Sequence, residues 1–332
     1  RKGNASTSDL SDAAIREAVA KAVSFARLTA QDEYAGLAEA GLMCKEIPDL
    51  DLDHPWALDA DTAIAMAIES EAAGLGCDER IGNSEGATVA TNRGTRAYGN
   101  THGFMGSYSK TSHSITCVLL AEEGGVMQRD YHYTAARHAD DMQSGEDVGR
   151  TAGEKTVARL GARKIETTRA PVLFVAELAR GFIGHAIGAI SGGAQYRKAS
   201  FLLGAAGEKL FPGFVNILER PHLPRGMASV PYDSDGVATW DRAIVADGVL
   251  QGYVLSSYSA RRLGLQTTAN AGGAQNLVVP GGGKDRDALI REMGTGLVVE
   301  EPVSYTHLRA HETNPCISYA VFCLKSGGGG GG

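Results

Sequence analysis

The chain has 332 residues, 43% of them hydrophobic, and carries 32 Lys and Arg against 39 Asp and Glu, a formal net charge of −7. An acidic chain without a basic cluster argues against a nucleic-acid-binding surface. No apolar run approaches the roughly 20 residues that span a bilayer, and no charged-then-apolar leader opens the sequence.

Ser8, Asp9, Ser11 and Asp12 are cap candidates ahead of a run that places Ile15, Val19, Ala22, Val23 and Ala26 on one face, which predicts an amphipathic helix. From Thr29 to Pro55 the periodicity is lost, and "EIPDLDLDHPW" reads as an extended acidic linker in which prolines forbid a regular helix. A second helix follows Asp59 and Asp61, through Ala63, Ile64, Ala67, Ile68 and Ala72, and stops at Gly74. "ATVATN", "RAYGNTHGF" and "SYSKTSHSITCVLLAEE", with Gly94, Gly99, Gly124 and Gly125 as hairpin glycines, predict an antiparallel meander.

Gly145 to Leu160 is again helical, and "PVLFVAE" reads as a buried strand. "GFIGHAIGAISGG" follows as a helix that stops at Ser191, Gly192 and Gly193. The remainder is β-rich, with "FVNILERP", "ATWDRAIVADGVLQGYVLSSYSARRLG" and "TGLVVEE" as strand and hairpin candidates, and Asp247-Gly248 as a hairpin turn. Helices and strands segregate, which gives an α+β class: an N-terminal helix and mixed-sheet region, then a mainly antiparallel C-terminal β domain. The expected divisions are 1–28, the end of an N-terminal α/β domain; 29–55, a linker; 56–165, a middle α+β domain; and 166–302, an incomplete β-rich domain.

Residues 303–332, "VSYTHLRAHETNPCISYAVFCLKSGGGGGG", stand apart. VSYTHLRAHET and ISYAVFCL are what the two ends of a transposase-type sequencing adapter encode when read in frame, and the glycines match a run of G calls. His307, His311, Cys316 and Cys323 therefore form no natural zinc site, and the tail is expected to make no stable contact with the rest. It holds Arg309, Lys325 and Glu312, so residues 1–302 carry a net charge of −8. Their three cysteines, Cys44, Cys77 and Cys117, are widely spaced and suit a reducing compartment.

Few motifs carry chemistry. A zinc site needs three or four donors, and His185 is alone between Gly184 and Ala186, which suits a packed or hydrogen-bonded histidine. "VVPGGGKDRDALIREM" imitates a phosphate loop but has Asp285 where Ser or Thr is required. Tyr196, Arg197 and Lys198 could present a peptide or anion site, or a solvated helix start. His102, His113, His132 and His138, near Asp130, Asp140 and Asp141, could converge on a metal or be scattered polar positions of the meander. A G-x-S-x-G nucleophile elbow is not found in the sequence.

"RKGNASTSDLS", "NTHGF", "RDYHYT", "GHAIGAISGGAQYRKASFLL", "DSDGV", "LSSYSARRLGL" and "EMGTGLVV" resemble, in order from Arg1 to about Val299, the PmbA/TldE family, the partner branch of the TldD/PmbA metallopeptidase group. The resemblance implies a chain truncated at both ends. The TldD branch carries a His-Glu-x-x-x-His metal helix completed by a later cysteine. Against that motif Gly184 stands at the first histidine, His185 at the glutamate and Ala189 at the second histidine.

The resemblance therefore implies no catalytic residue or metal in this chain, with zinc held by a TldD-type partner. It also implies a cytoplasmic heterodimer acting on short or unfolded peptides; neither nucleic acid nor membrane is expected as a partner, from the acidic composition and the absence of a long apolar run. Two alternatives stay open: an autonomous metallopeptidase using His185, and a binding module for peptides or, after the family's older label, DNA gyrase.

Overall fold

The computed structural model describes residues 1–302 and 320–322. Helix α1 spans Asp12–Leu28 and is capped by Ser11, whose side chain accepts from the Ala14 N–H. Its apolar stripe forms as expected but is only thinly covered: the segment around Gly3 lies against Ala22 and Ala26, while Val19 is 60% and Leu28 82% exposed, and the helix fully buries no residue. Helix α2 (Ala60–Leu75) starts at Asp59, which accepts from the Thr62 N–H.

Three long antiparallel strands follow in sheet order β1-β2-β3: β1 (Asn83–Gly99), β2 (Met105–Glu123) and β3 (Val126–Ala136). Gly124 and Gly125 make the expected turn, at φ +60° and +79°. Gly94 does not turn; it lies inside β1 opposite Lys110, where a glycine without a Cβ partner is tolerated in an open strand. Odd-numbered positions of β2, Ile115, Cys117, Leu119 and Ala121, point to one face and bury with Ile81 and with Val148 and Ala152 of α3 (Gly145–Ala158).

Helix α4 (Ala176–Ala189) follows the short strand β4 (Val172–Phe174), and Ser191 then caps the single-turn α5 (Gly192–Tyr196). β4 is not the buried strand expected: Val172 and Phe174 are 45% and 38% exposed, because β4 lies at the edge of its sheet, parallel to β9 (Leu297–Pro302). The third sheet runs β7-β6-β5-β8, from β5 (Ile217–Glu219), β6 (Arg242–Ala246), β7 (Val249–Leu250) and β8 (Leu277–Val278). Asp247 and Gly248 turn between β6 and β7, both at positive φ.

A second core joins these strands to α4 and the loops around them through Ile190, Ala205, Ile217, Ile244, Val245, Leu250 and Val254, with Ile183 and Ile187 against it. "LSSYSARRLG" is helical rather than extended: α6 spans Ser257–Leu263 and begins with a capping box in which Ser256 and Ser259 exchange side-chain-to-backbone hydrogen bonds. The serine pair satisfies the end groups that a strand would have left to a neighbour. Helix α7 (Arg286–Met293) precedes β9. The α+β class holds throughout.

Residues 29–55 are irregular, with one 3₁₀ turn at Ala40–Leu42, yet they are closely packed. Leu50 and Leu52 are buried, and the Leu52 carbonyl accepts from the Thr111 N–H of β2 (2.9 Å). Cys44 N–H donates to the Gly236 carbonyl (3.1 Å), and Ala38 and Met43 bury with Val237 and Ala269. The segment is a strap across both parts of the chain.

Most of the adapter-like tail, with His307, His311, Cys316 and Cys323, lies outside the described residues. Ala320–Phe322 form β10, antiparallel to β9, which corrects the expectation of a tail without contacts. An unpaired strand edge accepts any extended backbone, whatever its side chains.

Candidate functional site

Helix α4 places His185 by simple geometry. Ile183, Ile187 and Ile190 are four and three residues apart and face the second core. His185 points away from them and lies on the side of Leu178, seven residues earlier. It is half-buried, Gly184 is exposed and Ala189 is buried. A Cβ at Gly184 would meet nothing within 4 Å, so packing does not require the glycine.

Leu178, with Glu177 and Arg180, lines a cavity of about 440 Å³ between α4, β3 and α3. Tyr131 and Tyr133 project from β3 on one face, because they are two residues apart, and stack at 6.4 Å. Arg180 donates to the Tyr133 hydroxyl (3.4 Å), which ties α4 to the sheet. On the other side of β3, Lys155 of α3 reaches His132 Nδ1 (3.2 Å), and His132 Nε2 bonds Gln143 Oε1 (2.9 Å). An ammonium only donates, so Nδ1 accepts and the neutral tautomer carries its proton on Nε2. Arg159 and Asp130 pair nearby at 3.2 Å.

The remaining strand histidines do not join this cavity. His113 is fully buried: Nδ1 bonds Thr91 Oγ1 (2.8 Å) and Nε2 donates to the His54 carbonyl (2.9 Å). His138 lies edge-on to His54 and its Nδ1 accepts from the Asp140 N–H. His102 is exposed in the β1–β2 turn.

The Tyr196, Arg197 and Lys198 group separates. Tyr196 stacks between Arg197 and Arg262, at 5.3 and 4.9 Å from its ring, and lies edge-on to Tyr258. The Tyr258 hydroxyl donates to Asp32 (2.9 Å), and Arg261 donates to the carbonyls of Tyr34, Gly36 and Leu37. Tyr196 thus belongs to the clamp that holds the strap, while Arg197 and Lys198 are exposed. Reasoning from sequence missed Glu177, Arg180 and Lys155. The alternation in "RDYHYT" marks the two tyrosines as one face, but nothing in it says that α3 and α4 converge there.

The donor chemistry does not fit a resident zinc. On α4 the two side chains able to bind a metal are Glu177 and His185, eight residues and so about 12 Å apart along the axis. Among the described residues no three His, Cys, Asp or Glu side chains come together to hold an ion, and a stable zinc site takes at least three from the protein.

Residues 53–160 match the PmbA/TldA metallopeptidase central domain, and residues 167–322 its C-terminal domain. The chain is 46% identical over 301 residues to Metalloprotease PmbA of Escherichia coli O157:H7, covering 91% of this chain and 67% of that protein. The chain belongs to the PmbA/TldE family. A Haemophilus influenzae PmbA homologue is 45% identical over 91% of this chain and 67% of its own length. The PmbA/TldE chain thus spans about two thirds of these relatives.

Among solved structures, a Bacteroides thetaiotaomicron protein described as a candidate modulator of DNA gyrase superposes with a TM-score of 0.85 at 27% identity, over 90% of this chain and 68% of that one. TldE from Thermococcus kodakarensis shares the fold, with a TM-score of 0.77 at 19% identity over 91% and 70%. No helix of the described PmbA/TldE chain is long and apolar enough to cross a membrane.

Proposed function

We propose that this chain is the non-catalytic partner subunit of a TldD-type zinc peptidase that acts on short or unfolded peptides. One correspondence supports the reading: the resemblance sets Gly184 and Ala189 against the two histidines of the related metal helix, and neither glycine nor alanine has a side chain that binds a metal. The zinc then belongs to the partner. This subunit contributes the wall of the peptide chamber, with α4 and the tyrosine face of β3 on one side. A cytoplasmic location is supported by the free thiols of Cys44, Cys77 and Cys117, the second of them exposed.

The test uses the full-length parent with a TldD-type partner and an unfolded peptide substrate. Together they cleave; either alone does little. His185→Ala lowers the rate of the assembled pair by less than about threefold, while loss of a partner histidine abolishes it, since removing a residue that contacts no reacting atom costs little of the transition-state stabilisation. Metal analysis of the parent alone finds no stoichiometric zinc. One tightly held zinc lost on His185→Ala overturns the proposal in favour of an autonomous peptidase, and co-purification with gyrase but no peptidase partner favours a binding module.

A further inference from the structure

The even-numbered face of the central sheet, opposite the first core, is polar and holds an unusual set of cations. Lys110 and Tyr108 are two residues apart on β2 and share that face. Arg96 of β1 stands directly opposite Tyr108, and Gly94 opposite Lys110. Beyond Lys110 the face continues with Ser112 and Ser114. Arg137, the residue after β3, reaches the same region: its two Nη atoms donate to the Thr111 and Met227 carbonyls, each at 2.5 Å. Arg96 and Lys110 are thus a cross-strand diagonal pair, with backbones about 7–8 Å apart and long side chains that can reach one small anion, and the Arg137 charge is felt at Lys110.

None of the three pairs with a carboxylate among the described residues. Arg96 donates to Ser234 Oγ (2.9 Å), and Arg137 is 4% exposed with its Nε unpartnered. Two other sheltered arginines are answered by an acid, Arg242 by Glu219 at 2.7 Å and Arg159 by Asp130 at 3.2 Å, whereas Arg137, like Arg261, has backbone carbonyls. The Tyr108 and Tyr232 hydroxyls, whose rings meet at 5.5 Å, are also buried without a partner, and Tyr232 is 1% exposed. A desolvated cation without a counter-charge is costly, and so is a buried hydroxyl without a bond. Burial first, then the Arg137 and Arg96 charges, hold Lys110 below the usual lysine range. A structural role would be better served by an acid or by apolar residues of the same size.

We propose that Lys110 and Arg96, backed by the field of Arg137, form a carboxylate-binding site on the polar face of the central sheet, which anchors a peptide through its C-terminal or side-chain carboxylate. The inference rests on the reading that this chain handles peptides. Lys110 and Arg96 make the contacts, since one is half-buried and the other exposed, whereas Arg137 is too enclosed to touch the ligand and acts by its charge.

Fluorescence polarisation on the full chain, without any partner subunit, tests it with three labelled hexapeptides: a free acid, its C-terminal amide, and the amide carrying one internal glutamate. The free acid binds at least tenfold more tightly than the amide at low salt, and added salt narrows the gap. Lys110→Met brings acid and amide within twofold, Lys110→Arg retains the preference, and Arg96→Gln, at an exposed position, reduces it. Tight binding of the glutamate peptide supports the site and identifies a side chain as the source; preference for the free acid alone identifies the terminus. Equal binding of acid and amide overturns the site and leaves the peptide-handling reading standing. Failure of all three peptides to bind overturns both.

Discussion

At Gly149 a methyl group has nowhere to go. A Cβ there would stand 1.8 Å from the Ser70 carbonyl oxygen of α2, which is backbone and cannot swing aside. Alanine is worth up to about 1 kcal/mol over glycine inside a helix, but forcing a packed contact apart costs about 1–3 kcal/mol or more. With the overlap at the costly end of that range and the helix gain set against it, Gly149→Ala is expected to lower stability by about 2 kcal/mol, read as a shift of the urea midpoint at unchanged slope.

Asp233 offers a test by pH. It is 2% exposed and accepts N–H bonds from Asp235, Val237 and Ala271, yet burial outweighs them and pushes its carboxyl up to about 6. Its folded value lies above the unfolded value of about 3.9, so between the two the folded state binds more protons. Its contribution is complete below about pH 4 and is lost as pH rises through about 6, by up to about 3 kcal/mol at 1.36 kcal/mol per unit. Asp233→Asn should flatten this part of the stability-against-pH curve; an unchanged slope would assign the titration elsewhere.

At the scale of elements, what was legible in the sequence was what is local. The caps Ser11 and Asp59, the Gly124-Gly125 turn and the Asp247-Gly248 turn all lie where residue type alone puts them. α6 was misread because its box uses a second serine where glutamate or glutamine is the familiar signal, and because Tyr258 and the serines around it suit a strand as well. The strap was misread because its buried residues, Ala38, Met43, Leu50 and Leu52, follow no period; their partners lie far along the chain. The candidate site was legible only as a helix bearing His185, since the cavity beside it is lined from α3, β3 and α4 together.

Arg261 explains how the strap is held: one guanidinium collects three carbonyls from residues 34–37, at 2.8, 3.1 and 3.0 Å. Arg261→Ala should raise hydrogen exchange across residues 32–39 at least tenfold while α6 keeps its protection, because its own capping box is untouched. Equal loosening of both would mean that the strap and α6 open as one unit.

For the whole molecule, the strand next to β9 decides how the chain behaves in solution. Ending the chain at Pro302 removes β10 and opens the outer edge of β9, while β4 still covers the other side. Folding stability is expected to change by less than about 1 kcal/mol, since β10 has only three residues, but self-association at high concentration should rise, as seen by size-exclusion chromatography. An unaltered monomer would show that this edge is harmless.

The strap also sets a timetable. Its anchors on Arg261 lie 224 to 227 residues further on, so during synthesis at about 5–20 residues per second the strap leaves the ribosome roughly ten to forty-five seconds before the residue that fastens it exists. For most of that interval Ala38 and Met43 also lack Val237 and Ala269, the late residues that bury with them. The nascent chain must keep its own early part out of trouble until its late part arrives.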